Sequence, residues 1–477
     1  MKLDNHAPLF LCLGVLATSS CRFQAGEKDH STDSRPNILF IAVDDLRPEL
    51  GCYGNRIISS PNIDRLASEG VMFQRAYCNI PVSGASRASL LTGTRPTSYR
   101  FIDFDTWAEK DNPGAITLPR HLRNNGYYTV SLSKVFHHMY DSRDSWDEEW
   151  RPSGKGSWRN YVQDDNLKID TLIKRGMPFE CADVPDTSYF DGKTTQKAIE
   201  FLKKAGDSEK PFFLAVGFLK PHLPFNAPKK YWDIYDPAVI GVADNPYPPE
   251  DAPRQAIHNW GEMRQYYSIP EKGALTDSAA NKLRHGYYAC VSYTDSQVGM
   301  LLDELEKNGL AENTVVVLWG DHGWNLGEHG LWCKHCNFKT SLNAPLIFKV
   351  PGITKGGKNN NITEFIDIYP TLCELTGLPL PSHLDGESLV KRLKSPEMQE
   401  DDYAVSKFFA GVTLIEDNYF FTEFIDKNDS SVANMLYDHD YDPDENINLS
   451  KRIGYKDVVS SMSSQLREKR GKAFLKN

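Results

Sequence analysis

Asn37-Ile38-Leu39-Phe40-Ile41-Ala42-Val43-Asp44-Asp45 joins a short apolar run to two consecutive carboxylates. A run of this length, apolar on both faces, reads as a strand buried in a parallel sheet. Working outward, the pattern recurs. Tyr127 to Leu132 is a second strand, entered after Gly126 ends a helix near Leu118 to Asn124. Phe212 to Val216 follows the amphipathic helix Thr194 to Ala205, and Thr314 to Leu318 follows a long helix from about Ala279 to Asn308. Ala344 to Val350 is a fifth strand, closed by Pro351-Gly352. Strands alternating with helices predict an α/β fold with a large, mostly parallel central sheet flanked by helices.

The strand ends carry the chemistry. The first ends in Asp44-Asp45 and the one from Thr314 in Asp321-His322. The one from Tyr127 ends in Lys134 and His137, and the one from Phe212 in Lys220 and His222. Read singly, each pair is a turn, a cap or a surface loop. Ligands of open parallel sheets bind outside the carboxyl ends of the strands, so the four pairs together predict one crevice. Asp44, Asp45 and Asp321 offer the carboxylate oxygens that a hard divalent cation such as Ca²⁺ or Mg²⁺ takes. His322 is the odd member, binding through nitrogen or standing just outside the ligand shell. Arg87, Lys134, His137, Lys220, His222 and Lys334 form a pocket for an oxyanion, and the histidines supply acid or base near neutral pH.

Ser83-Gly84-Ala85-Ser86-Arg87 completes the set. A small nucleophile stands four positions before an arginine, followed by a run, Ala88 to Thr94, read as a helix start that ends at Gly93. Unpaired N–H groups at a helix start favour negative charge. Alone, such a serine is an N-cap; beside the charged pairs it is a candidate nucleophile.

The chain is 477 residues long, 40% hydrophobic and 25% charged, with a formal net charge of −10. That is globular composition, and the acidic balance argues against nucleic acid as a partner. Lys2, the apolar run Ala7 to Ala17 and Thr18-Ser19-Ser20-Cys21 read as an export signal too short to span a bilayer. Its end looks like a lipoprotein cleavage box with Cys21 lipidated; an ordinary cleaved signal peptide is the alternative. Residues 22–35 read as a tether, 36–394 as the catalytic domain and 395–477 as a C-terminal subdomain. Of nine cysteines, Cys52, Cys78, Cys181, Cys290, Cys333, Cys336 and Cys373 lie beyond the signal. Their irregular spacing is no disulfide framework. Cys333-Lys334-His335-Cys336 lacks a second pair for zinc and reads as a local disulfide or two thiols.

With Leu91-Thr92-Gly93, the Ser83 pentapeptide resembles the signature of the type I sulfatases of the alkaline phosphatase superfamily. Ala85 stands where proline is usual, as in bacterial serine-type members. The resemblance extends through PNILFIAVDDLRPELGCYG, LPRHLRNNGYYT, SKVFHH, PFFLAVGFLKPHLPF, DHGWNLGEHGLWCK and APLIFKVPG. It is strongest to the iduronate-2-sulfatase branch, which also carries Asp-His where other sulfatases have Asp-Asn. The resemblance implies that a maturation enzyme converts Ser83 to Cα-formylglycine, whose hydrate attacks sulfur. It implies that Asp44, Asp45, Asp321, His322 and the modified Ser83 hold one Ca²⁺. Lys134 and Lys334 would bind sulfate oxygens and Arg87 would hold the hydrate. His137 would take the proton that lets sulfate leave, and His222, assisted by Lys334, would protonate the departing alcohol. Cys78 is an alternative modification site, but no arginine follows it at the right spacing.

The branch likeness implies exo removal of a 2-O-sulfate from a uronate in glycosaminoglycan fragments. Asp103, Asp105, Trp107, Lys220, Trp324 and His335 are candidate lining residues. Segments 140–190 and 226–275 read as long loops over the crevice. Beyond residue 395, short antiparallel strands at Tyr403–Phe408, Thr413–Ile415, Tyr419–Phe424 and Met435–Tyr437 precede a helix from Lys456 to about Lys472. Tyr441-Asp442-Pro443-Asp444-Glu445 reads as a polar turn before a cation site. Three alternatives stay open: a sulfatase for another glycan position, a phosphatase or phosphonate hydrolase of the same superfamily, and a non-catalytic glycan-binding lipoprotein. The expected location is outside the cytoplasm, in the periplasm or at the cell surface.

Overall fold

Every residue of β1 (Asn37–Val43) except Asn37 is buried, which places this strand at the middle of the protein. The computed structural model describes residues 35–154, 157–206, 208–428 and 430–470. The export signal and residues 22–34 of the tether lie outside the described residues. Seven more strands join β1: β2 (Val71–Tyr77), β3 (Tyr128–Ser133), β4 (Glu148–Trp150), β5 (Phe212–Phe218), β6 (Thr314–Gly320), β7 (Leu346–Lys349) and β8 (Lys358–Glu364). Their order is β8-β2-β7-β6-β1-β5-β3-β4. Strand β7 runs antiparallel to both neighbours, and the other pairings are parallel. The Phe40 ring lies 5.5 Å from Phe213 and 5.4 Å from Trp319, knitting β5, β1 and β6 together. Such aromatic pairs add about 0.5–1.5 kcal/mol each beyond the burial itself.

Register decides where the site forms. Val43 pairs with Gly320 on one side and Phe218 on the other, and Ser133 pairs with Gly217. The four strands therefore stop at one level, and Asp44, Asp321, Leu219-Lys220 and Lys134 emerge side by side. Gly217 permits this closeness: a Cβ there would lie 2.1 Å from the Lys134 carbonyl oxygen.

Helix α1 (Ser83–Thr92) begins at Ser83 itself, not near Ala88, and ends at Gly93 in the left-handed conformation, φ 65°. All ten of its residues are buried. Helix α2 (Phe190–Ala205) starts four residues earlier than its apolar pattern suggests. Helix α3 (Asp277–Lys307) is capped by the Thr276 side chain, which accepts from the Ala279 N–H. Segment 140–190 is not a plain loop. It holds β4, a helix at Asp164–Ile173 and a strand at Phe179–Ala182 that pairs with Phe225–Pro228. These elements are short or face solvent, so their apolar periodicity is weak.

Four antiparallel strands follow: β9 (Tyr403–Phe408), β10 (Gly411–Glu416), β11 (Tyr419–Ile425) and β12 (Ser431–Asp438). Helix α4 (Lys456–Arg470) packs Met462 and Leu466 on Val405, Val412, Leu414, Phe421 and Leu436 of this sheet. Among the described residues no helix is long and apolar enough to cross a membrane. The seven cysteines from Cys52 to Cys373 are free thiols, so Cys333 and Cys336 form no disulfide.

Candidate active site

A cavity of about 720 Å³ opens over the strand ends, lined by Ser83, Lys134, His137, Lys220, His222, Lys334 and His335 among others. Directly beneath Ser83, Lys134 and Lys334 of this lining lies a buried acidic set, the floor of the site. Asp44, Asp45, Asp321 and His322 are all 0% exposed. One ligand atom from each of Asp45, Asp321 and His322 lies within 4.8 Å of the others, as do those of Asp44, Asp45 and His222. Asp45 has a φ of 61°, a left-handed conformation that costs a non-glycine residue about 1 kcal/mol or more. Hydrogen bonds hold it there: its N–H donates to Asp321 Oδ1 at 3.0 Å, and its carbonyl accepts from the Tyr287 hydroxyl of α3 at 2.8 Å. Ser133, Cys333 and His335 also have positive φ, so Lys134 and Lys334 are both presented by strained backbone.

Ser83 sits where α1 meets this floor. Its hydroxyl lies 3.3 Å from Asp44 Oδ1 and 3.0 Å from His322 Nε2. His322 Nδ1 faces the Gly323 carbonyl at 2.9 Å. A carbonyl only accepts, so Nδ1 carries the proton and Nε2 offers a lone pair. Gly84 lets the turn approach the 101–107 loop; a Cβ there would meet the Phe104 carbonyl oxygen at 2.6 Å. Arg87, one turn on, points inward. Its Nη2 meets Asp44 Oδ1 at 3.1 Å and its Nε meets Asp321 Oδ2 at 3.0 Å, while Nη1 donates to the carbonyls of Lys134 and Val135.

The charges do not balance evenly. Burial opposes ionisation of Asp44, but Lys134, His222 and Arg87 hold it well below the usual carboxylate range. Burial pushes Asp45 well above that range; Lys334 opposes, and repulsion from Asp44, Glu262 and Asp321 adds. Burial raises Asp321 against the pull of Arg87. Burial and then Lys334 keep His322 neutral. Three crowded carboxylates, two of them pushed up in pKa despite their cationic neighbours, and a neutral imidazole nitrogen offer a donor set that a divalent cation fits.

The basic side is ordered by contacts that sequence spacing did not reveal. Lys134 Nζ pairs with Asp44 Oδ2. Lys334 Nζ lies 3.0 Å from Asp45 Oδ1 and 3.1 Å from Glu262 Oε2. His222 Nε2 lies 3.1 Å from Glu262 Oε1, and its Nδ1 faces the Leu223 carbonyl. Both nitrogens face acceptors, and this hydrogen bonding works toward a ring that donates from each, against the net effect of its surroundings. Burial and Lys334 lower the His222 pKa against the pull of Asp44 and Glu262. Burial, then Lys134, lowers His137 to about 2, so its ring is neutral, and its buried Nδ1 has no partner among the described residues.

Other candidates are placed differently. Lys220 lines the cavity, but its Nζ donates to the carbonyls of His222 and Pro224, and Asp191 accepts its N–H at 2.8 Å. Trp324 is fully buried, with Lys334 Nζ 4.9 Å from its ring centre. His335 lines the cavity and stacks on Phe408. Trp107 stacks on His138 at 4.5 Å, and neither it nor Asp103 or Asp105 lines the cavity. Cys78 is buried, also off the cavity, with its thiol pushed well up by burial. Glu445 accepts from the N–H of the distant Lys339 at 2.9 Å. Missing from the sequence expectations are Glu262, Arg151, Trp158, Arg159 and Tyr266, all cavity-lining.

Comparison with known proteins follows the same outline. Residues 36–378 match the sulfatase family, and residues 327–472 match the family described as N-sulphoglucosamine sulphohydrolase, C-terminal. Human iduronate 2-sulfatase is 36% identical over 448 residues, covering 82% of this chain and 80% of that protein. A sulfatase of Formosa agariphila is 31% identical, covering 96% of this chain and 91% of its own length. A protein solved with its substrate D-glucosamine-2-N,6-O-disulfate superposes with a TM-score of 0.75 at 23% identity, covering 92% of this chain and 98% of that one. The phosphonate monoester hydrolase of Agrobacterium radiobacter also gives 0.75, at 22% identity and 92% and 96% coverage. The two structures establish the fold; the family match and the identity to the curated relatives establish more. The chain belongs to the sulfatase family, and is a sulfuric ester hydrolase.

Proposed function

We propose that this enzyme removes a sulfate ester from a sulfated sugar, acting in exo fashion on the 2-O-sulfate of an iduronate or unsaturated uronate in glycosaminoglycan fragments. One observation carries it: a candidate nucleophile and two lysines line one cavity and contact the buried metal donors directly beneath it. The likeness to iduronate 2-sulfatase supports the uronate.

Asp44, Asp45, Asp321, His322 and residue 83 would hold one hard divalent cation, taken as calcium. With Ser83 matured to formylglycine by a dedicated enzyme, residue 83 supplies a nucleophilic hydroxyl, and the cation offsets charge on the sulfate oxygens. The chain's own groups do the remainder. Lys134 and Lys334 present ammonium groups to the sulfate, replacing hydration by fixed charge. Arg87 clamps Asp44 and Asp321 in place. His222, directed by Glu262, lines the cavity beside the floor carboxylates, its Nε2 3.8 Å from Asp45 Oδ2, and donates to the leaving oxygen. His137, kept neutral, accepts the proton that must be lost before sulfate departs. Export, with Cys21 as a lipid anchor, would place this chemistry outside the cytoplasm.

Mass spectrometry of the tryptic peptide spanning residue 83, from the active enzyme, should show a species about 2 Da lighter than serine. Fully unmodified serine in an active preparation rules the formylglycine route out. Prolonged dialysis against a chelator should lower sulfate release at least about 10-fold and lower the melting temperature, with calcium restoring both. Release that is indifferent to the chelator excludes the cation. Sulfate release from 2-O-sulfated unsaturated disaccharides tests the substrate. None from these, with release from 6-O- or 4-O-sulfated sugars, removes the uronate.

A further inference from the structure

The cavity's cations are not equally partnered. Lys134 pairs with Asp44, Lys334 with Asp45 and Glu262, and Arg159 with Asp170 at 3.0 Å. Among the described residues Lys220 has no ion pair within 4 Å, but carbonyls cap its amine. Arg151, the residue after β4, differs from all of these. Its Nη2 donates to the Phe136 carbonyl at 3.0 Å and its Nη1 reaches the His137 carbonyl at 3.4 Å. Its Nε is buried with no partner. Among the described residues no carboxylate pairs with it. Burial lowers its pKa to about 10, with Glu149 opposing and Arg87 adding.

Arg151 is partly buried, and a cation that has lost part of its solvation is ordinarily paired, because an unpaired one forfeits that solvation without recompense. A guanidinium has five donors in a planar fork, and two carbonyls leave most of it unused. Lining a ligand cavity, such a fork suits a carboxylate or a sulfate. The scissile sulfate is already served by Lys134 and Lys334.

We propose that Arg151 binds a second anionic group of the substrate, a uronate carboxylate or a second sulfate, and so selects doubly charged sugars. This rests on the sulfated-glycan assignment above. It makes Arg151 a specificity residue, separate from the groups that handle the scissile ester.

Calorimetry in a Ser83→Ala background, which cannot turn the ligands over, tests this with two ligand pairs. The first is a 2-O-sulfated uronate disaccharide and its carboxyl-reduced counterpart. The second is N,6-O-disulfated glucosamine and 6-O-sulfated glucosamine. In at least one pair the doubly charged member should bind about 10- to 100-fold tighter. Arg151→Gln should erase that preference by weakening only the doubly charged member, and Arg151→Lys should restore part of it. Preference in the first pair identifies the carboxylate, and in the second the sulfate. No preference in either pair overturns the proposal without reference to any Arg151 variant. Equal weakening of both members by Arg151→Gln also overturns it, leaving Arg151 as a support for the Phe136–His137 loop. If the uronate pair does not bind and the disulfate pair still shows the preference, the uronate assignment fails and the role of Arg151 stands.

Discussion

Ser83→Ala should lower sulfate release by at least about 10⁴-fold while the protein stays folded and still binds sulfated sugar. Loss of a covalent nucleophile removes the reaction path rather than weakening it, and effects of about 10⁴–10⁶ are typical. The structural cost is small. Ser83 makes two side-chain contacts, at 3.3 Å to Asp44 and 3.0 Å to His322, and a hydrogen bond is worth about 1 kcal/mol net. The first residue of α1 also tolerates alanine, since the Ser83 side chain does not cap the helix; the N-cap is Val82. Lys134 and Lys334 are untouched, so affinity for the sulfated sugar should stay within about 10-fold of the parent. Steady-state sulfate release, circular dichroism and a urea titration together separate chemistry from folding. Activity within 10-fold of the parent would move the nucleophile to another residue. Activity lost together with the urea midpoint would instead make Ser83 a structural serine.

The floor of the site was legible because sheet physics places it. An apolar strand that ends in charge must send that charge to the sheet's edge, and parallel strands in register send all of theirs to the same edge. Asp44, Asp321 and Lys134 follow directly, and the Val43–Gly320 and Ser133–Gly217 pairings show it. The walls were not legible. Glu262 comes from a stretch without periodicity, and only the fold brings it to Lys334 and His222. Strand β8 escaped for another reason. Lys358-Asn359-Asn360-Asn361 looks like a loop, yet Asn359 and Asn361 are buried with their side chains bonded to the carbonyls of Pro396 and Met398. A polar residue satisfied by a distant backbone is invisible to a hydropathy pattern. Lys220 shows the converse: its place at a strand end was foreseeable, but its amine turns to its own loop's carbonyls.

Arg87→Met should destabilise the enzyme by about 3–5 kcal/mol and remove its activity. Arg87 is 0% exposed and meets two carboxylates that are themselves 0% exposed. Asp44 keeps Lys134, but Asp321 would be left buried without a cationic partner, and breaking a buried ion pair in this way costs about that much. Methionine matches the volume but supplies no donor, so the Lys134 and Val135 carbonyls lose their partner as well. Arg87→Lys should recover part of the stability through its charge. A single ammonium does not span Asp44, Asp321 and two carbonyls at once, so activity should remain at least about 10-fold down. Urea titrations with chelator and with calcium separate two contributions. If Arg87 acts by neutralising the floor carboxylates, the deficit of the methionine variant should shrink when calcium is present, because the cation neutralises the same oxygens. A deficit unchanged by calcium would locate the arginine's work in its carbonyl contacts, making it a strut between α1 and the end of β3.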